Sequence, residues 1–252
     1  MNISGFTKIW LRNFRVWRKH ILATLIGNLG QPFLFLIAMG YGLGRKIAPI
    51  EGLSYLQFIA PGLVVSSVMY SAAFETTYGS YTRLSLQRTY EAVLMTPLSV
   101  ADLVLGELVW GATKGMFAAV IMIAALPLFG VWPSFLTLWL LPLLFMCGIF
   151  FSALGLIMTA LASNYEFFNY FISLVITPLF LFSGIFFPLD VLAPPIQLAF
   201  TFVPLPPIVE LSRMLIYGQV QEPVLLKILL PALVTAASAW LAKVLIERRM
   251  IQ

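Results

Sequence analysis

The chain has 252 residues, of which 61% are apolar and 10% are charged. Globular domains carry roughly 45–50% apolar and about 25% charged residues, so this composition excludes a chain solvated by water alone and requires a bilayer. The net charge of +5 collects beside apolar runs and not along one polar face, which argues for a membrane orientation signal and against nucleic acid.

A crossing takes about 20 apolar residues, so six crossings use roughly 120 residues and leave no sizeable soluble domain. Residues 1–252 therefore read as a single transmembrane domain. Residues 1–20 hold Lys8, Arg12, Arg15, Arg18 and Lys19, with Ile3, Phe6, Ile9 or Trp10, Phe14 and Trp17 at helical spacing. This pattern predicts an amphipathic helix lying in the membrane interface. No small-residue cleavage pattern follows, so the N-terminus is expected to be retained.

A first span is predicted over 21–43, with Pro32 inside it and Gly40-Tyr41-Gly42-Leu43-Gly44 at its end. A second covers 55–78. Residues 79–102 are polar but interrupted by Leu84, Leu86, Val93 and Leu94, which predicts a short amphipathic helix ahead of Pro97. Spans three, four and five follow over 103–126, 134–161 and 167–187. Residues 188–223 are apolar yet broken by Pro194, Pro195, Pro204, Pro206 and Pro207, which excludes one straight spanning helix and predicts short half-inserted helices. A last span covers 224–246 and ends in Glu247-Arg248-Arg249.

The predicted fold class is an all-α polytopic membrane protein with six transmembrane helices and an N-terminal amphipathic interface helix. Its orientation follows from the short flanks. Five Lys and Arg lie in the N-terminal segment, two in 79–102 and three at Lys243, Arg248 and Arg249, against Arg45, Lys46 and Arg213 on the other side. Ten against three places both termini and the 79–102 loop in the cytoplasm and the 188–223 segment outside.

Catalytic signatures fail. One histidine, His20, excludes a zinc-binding His pair, one cysteine, Cys147, excludes an internal disulfide, and no Ser-His triad is expected to form across the membrane from His20. Ser183-Gly184 reads as packing. Gly106-Glu107-Leu108-Val109-Trp110-Gly111-Ala112 comes nearest to a phosphate loop but lacks the Lys and the hydroxyl residue, so the chain is not expected to hydrolyse ATP. Gly111 with Gly115 and Gly148 with Ser152 form small-xxx-small pairs, read as helix packing.

Glu75, Glu107 and Lys114 fall at membrane depth, where a charge costs about 2.5–3.5 kcal/mol on insertion scales. Glu107 and Lys114 share a helix face, and Glu75 stands where it snorkels or meets a basic residue; structural pairing is favoured over a proton or substrate role. Tyr41, Tyr55, Phe58 and Phe186, with Glu75, suit a passage for sugar or lipid. The aromatic residues suit an interface belt equally well.

Five segments resemble, in the family's order, the type-2 ATP-binding-cassette export permeases, and most closely the branch of nodulation lipo-chitooligosaccharide exporter permeases. They are Gly40-Tyr41-Gly42-Leu43-Gly44, Tyr55-Leu56-Gln57-Phe58-Ile59-Ala60-Pro61-Gly62, Glu91-Ala92-Val93-Leu94-Met95-Thr96-Pro97-Leu98-Ser99, Phe182-Ser183-Gly184-Ile185-Phe186-Phe187-Pro188-Leu189 and Pro204-Leu205-Pro206-Pro207-Ile208-Val209-Glu210-Leu211-Ser212-Arg213. Gln87 departs from the acidic residue that commonly precedes the loop arginine, and Pro206 or Pro207 from a polar residue or histidine.

The resemblance implies a homodimeric permease in the bacterial inner membrane, in contact with lipid and not with nucleic acid. It implies two copies of a separate ATPase subunit that bind ATP and magnesium, with no cofactor in this chain. The segment Arg88–Thr96 is implied to be the coupling helix, with Arg88, Thr89, Tyr90, Glu91, Met95, Thr96 and Pro97 engaging the ATPase. Residues 188–217 resemble the family's paired external re-entrant helices. The implied cargo is a lipid-linked or acylated oligosaccharide or polysaccharide moved outward. A drug or antibiotic exporter of the same family is the alternative; an intramembrane enzyme using Glu75 and Glu107, or a channel, is the reading from a different class.

Overall fold

A computed structural model describes residues 3–44, 46–201, 203–219 and 224–251. Arg45, counted above for orientation, and residues 220–223 of the proline-rich segment lie outside the described residues. The first helix, α1, is Ile3–Trp17, and α2, Ile21–Phe35, follows after one tight turn and widens into π-type turns over Leu36–Leu43. Helix α3 is Tyr55–Phe74, α4 Thr89–Leu94, α5 Val100–Ala125 and α6 Leu140–Leu161. The short helices α7, Phe167–Phe171, and α8, Thr177–Phe182, are joined by a π-type turn, and α9, Pro194–Thr201, precedes α10, Leu205–Tyr217. Helix α11, Val224–Ile251, closes the chain.

Local chemistry sets the starts of the two helices that matter most for the site. Ser54 accepts from the Gln57 backbone N–H while the Gln57 side chain accepts from Ser54 N–H, and Ser99 and Asp102 repeat the arrangement ahead of α5. Each reciprocal box satisfies two of the backbone donors that a helix start leaves without a partner.

Among the described residues, four helices are long and apolar enough to cross a bilayer: Tyr55–Leu86, Val100–Phe129, Phe135–Leu161 and Lys227–Met250. Gly30–Leu43, the end of the helix that begins at Ile21, and Phe167–Phe182 are shorter apolar helical stretches. Residues 79–86, read from sequence as loop, instead continue α3. Their polar side chains find partners in the helix and on its neighbour: Thr82 donates to the Tyr78 carbonyl at 2.7 Å, and Arg83 reaches carboxylates as described below.

Helix α3 runs through the middle of the protein. From Tyr55 to Ala73 only Gln57 escapes full burial. The small-residue pairs bring α5 and α6 against α3. A Cβ on Gly111 would collide with Ser152 and Thr76, one on Gly115 would lie 2.8 Å from Val68, and one on Gly148 would lie 2.8 Å from the Ala112 backbone. Both pairs therefore serve backbone approach.

The long α3 separates two ends. At one, α10 is tied to the start of α3: Arg213 Nε donates to the Phe58 carbonyl at 3.0 Å, its guanidinium sits 3.7 Å from the Phe58 ring centre, and Tyr217 Oη donates to the Gln57 carbonyl at 2.8 Å. Arg213 also bonds the carbonyl of Gly184. At the other end lie α1 and α4.

Candidate functional site

Helix α4 is held between two stiff joints. Arg88 precedes it with φ of 48°, a left-handed conformation that is costly for a side chain with a Cβ. This reversal turns the chain out of α3. At the far side Pro97 lacks an N–H and stops the helix, and Thr96 closes the last turn by donating its hydroxyl to the Val93 carbonyl at 2.6 Å.

The two faces of α4 do different things. Tyr90 is 1% exposed and packs with Ile9 of α1 and Leu103 of α5, with Leu84, Val93 and Leu98 around them. Its hydroxyl faces Ser80 and Arg83 without making a full hydrogen bond to either. Burial, helped by the negative charge of Glu107, pushes the phenol pKa above its ordinary value, so it stays neutral. On the other face Arg88, Glu91, Met95, Thr96 and Pro97 are exposed, Met95 to 89%, and Thr89 is half-buried.

Directly behind Tyr90 lies a buried hub of charges. Glu75 Oε2 accepts from Lys114 Nζ at 2.6 Å, and its Oε1 accepts from Arg83 Nη1 at 2.9 Å and Trp110 Nε1 at 2.8 Å. Arg83 Nη2 donates to Glu107 Oε2 at 2.6 Å. Glu107, its side chain 1% exposed, also accepts from Ser80 Oγ at 3.0 Å and Asn13 Nδ2 at 3.0 Å, with Arg12 Nη2 at 3.5 Å. Gly79 makes room for the bridge, since a Cβ there would lie 3.0 Å from Glu75 Oε1.

The expectation of structural pairing holds for these charges, with different partners than the sequence offered. Lys114 bonds Glu75 on the neighbouring helix and not Glu107 on its own. Arg83, assigned by sequence to a loop, is the residue that joins the two carboxylates. A signal for it was present: Glu75, Gly79 and Arg83 recur every four residues, the stripe of a helix that has not ended. Both carboxylates are held by cations and donors, so the hub fastens helices together and offers no carboxyl pair for acid–base chemistry.

Helix α1 is clamped to the hub. A Cβ on Gly5 would lie 2.5 Å from Asp102 Oδ1, one on Gly106 would lie 2.7 Å from Ile9, and Trp10 Nε1 donates to Thr113 Oγ1 at 3.0 Å. Tyr90 of α4 thereby touches α1, the extension of α3 and α5 together.

The remaining residues singled out from sequence do not gather with Glu75. Tyr55 and Phe58 lie about 25–30 Å along α3 from it at 1.5 Å per residue. Both are buried, as is Phe186, whose ring packs on Phe180 and Phe35 with centroids at 5.0 and 5.6 Å. Tyr41 is 45% exposed. Cys147 is buried and unpaired by disulfide, and Ser183 is buried. Among the described residues no three His, Cys, Asp or Glu side chains cluster as a metal site.

Residues 5–217 match the ABC-2 type transporter family. Nodulation protein J of Rhizobium leguminosarum bv. viciae is 35% identical over 246 residues, covering 97% of this chain and 94% of that protein. Nodulation protein J of Rhizobium leguminosarum bv. trifolii is 39% identical over 212 residues, 83% of this chain and 80% of that protein. Inner membrane transport permease YadH of Escherichia coli (strain K12) is 28% identical over 188 residues, 74% of this chain and 72% of that protein. With the match running from α1 through the hub and α4 to α10, the chain belongs to the ABC-2 type transporter family as a multi-pass membrane permease subunit of an ATP-driven exporter, partnered by a separate ATPase subunit.

Proposed function

We propose that this permease crosses the bacterial inner membrane six times with both termini in the cytoplasm, the shorter apolar helices Gly30–Leu43 and Phe167–Phe182 contributing to the two further passes. Two copies pair to form the path, and two copies of the ATPase, binding ATP and magnesium, dock on their α4 helices. The cargo is a lipid-linked or acylated oligosaccharide, moved outward. The resemblance of the five sequence segments to the nodulation lipo-chitooligosaccharide exporter permeases supports this cargo class over a drug. The ten-to-three bias of Lys and Arg supports the orientation.

The observation that carries the coupling role is the division of α4 into an exposed face, with Glu91 and Met95, and a buried anchor, Tyr90, beside the hub. Closure of the ATPase dimer presses on the exposed face. Tyr90 passes the displacement to α1, α3 and α5, and the permease shifts between two packings that ATP-bound partners favour unequally. Arg88 and Pro97 keep α4 stiff enough to transmit the push.

The test uses the full-length permease with its ATPase in membrane vesicles. Arg88→Ala and Glu91→Ala are expected to uncouple ATP hydrolysis from export while the permease stays in the membrane. Unchanged ATPase stimulation and transport would remove the coupling role, and transport without any ATPase would overturn the exporter reading.

A further inference from the structure

Beside the hub, between α1 and the ends of α3 and α5, lies a cavity of about 370 Å³ that reaches the surface next to α4. Arg12, Trp17, Arg83 and Lys114 are in its wall, with Glu75 as its carboxylate. Counting Glu107 behind the wall, three cations meet two carboxylates, so the site keeps an excess positive charge.

The hydrogen-bonding balance points the same way. Arg12 Nη1, Trp17 Nε1 and Arg83 Nε are all buried, and none has a partner among the described residues. Buried donors without an acceptor are rare, because each forfeits its water without replacement. Here three such atoms belong to residues of one wall, and all three are donors. The wall thus holds more donors and positive charge than acceptors, which suits a ligand carrying negative charge and several oxygens. The rim adds a second feature: Val16 is 61% exposed, and Arg15, Arg18 and Lys19, its neighbours in sequence, are exposed as well. An apolar rim flanked by cations suits a group that sits at the lipid–water boundary.

We propose that this cavity binds the phosphate group of an anionic lipid, held by Arg12, Trp17, Arg83 and Lys114. The site does not depend on what the exporter carries or on how α4 couples to ATP. A bound phosphate ties α1 to α3 and α5 and completes the hub, so occupancy reports the lipid environment to the helices packed around Tyr90.

Native mass spectrometry of the full-length protein, released from an uncharged detergent, tests the site with dioctanoyl phosphatidate against dioctanoylglycerol. One phosphatidate per chain is expected to bind saturably, with the uncharged lipid weaker by about tenfold or more, the scale of a charge-assisted contact. Arg12→Gln is expected to weaken phosphatidate by about tenfold, and Trp17→Phe, which keeps an aromatic ring and removes only the indole donor, by about threefold. Displacement by millimolar inorganic phosphate assigns the anion to solution, and retention assigns it to the membrane. Equal binding of the two lipids, or unchanged affinity in Trp17→Phe and Arg12→Gln proteins that elute as the wild type does, overturns the proposal.

Discussion

The hub predicts a large effect from a single atom change, Glu107→Gln. Glu107 meets Arg83 at 2.6 Å, Ser80 at 3.0 Å and Asn13 at 3.0 Å with its side chain 1% exposed. An amide keeps the volume but turns one oxygen into an N–H₂ group. If that group replaces Oε2 it faces the Arg83 guanidinium; if it replaces Oε1 it faces the Asn13 amide, whose own oxygen already accepts from Arg12 at 2.8 Å. Either way the buried set falls from two carboxylates against three cations to one against three. Removing one partner of a buried pair costs about 3–5 kcal/mol, and the neighbouring cavity, by admitting water to Arg12, favours the lower figure. At roughly 2–4 °C per kcal/mol for a chain of this size, thermal unfolding of the full-length protein in detergent should fall by about 6–12 °C. Glu247→Gln, which loses only a half-exposed pair with Lys243 at 4.0 Å, should shift it by about 2 °C or less. A Glu107→Gln protein that unfolds with the Glu247→Gln protein would refute the hub as a structural fastening. Adding Arg83→Gln to Glu107→Gln should cost less than the sum of the two, with a coupling of about 0.5–3 kcal/mol.

Three further outcomes are expected. Tyr90→Ala should destabilise by about 3–5 kcal/mol, as loss of a buried aromatic ring does, and abolish stimulation of the ATPase, whereas Tyr90→Phe should retain both; the reverse order in an ATPase assay would separate Tyr90 from coupling. Met95→Glu should leave the unfolding temperature unchanged, because the side chain is 89% exposed, while co-purification of the ATPase subunit falls; full retention of the partner would discard the exposed face as its docking surface. A cysteine placed at Gln197 of α9 should react with an impermeant reagent added outside intact cells, with Cys147 buried and silent, and labelling from the cytoplasm alone would invert the topology.

Sequence by itself determined the solvent of this protein and most of its helices. Scarcity of charge fixed the membrane habit. The prolines of 188–223 broke that segment into α9 and α10. Sequence also put Glu75, Glu107 and Lys114 among the residues worth explaining, since a charge in an apolar run is costly wherever its partner lies.

Tertiary structure alone decided the partners and the exposures. Apolar composition does not tell a helix facing lipid from one facing other helices: the apolar stretch of Tyr55–Leu86 is 89% buried within the protein, and that of Lys227–Met250 is 17% buried. Both read as spans for the same reason, because lipid and protein interior are alike to an apolar side chain. Ion pairs show the converse. Lys114 and Glu107 share a helix face, but Lys114 finds its counter-ion 39 residues away at Glu75, and Arg83 turns from a loop residue into the bridge at the centre of the hub. Polar residues end a helix in water; the same residues extend one when a neighbouring helix supplies their charges.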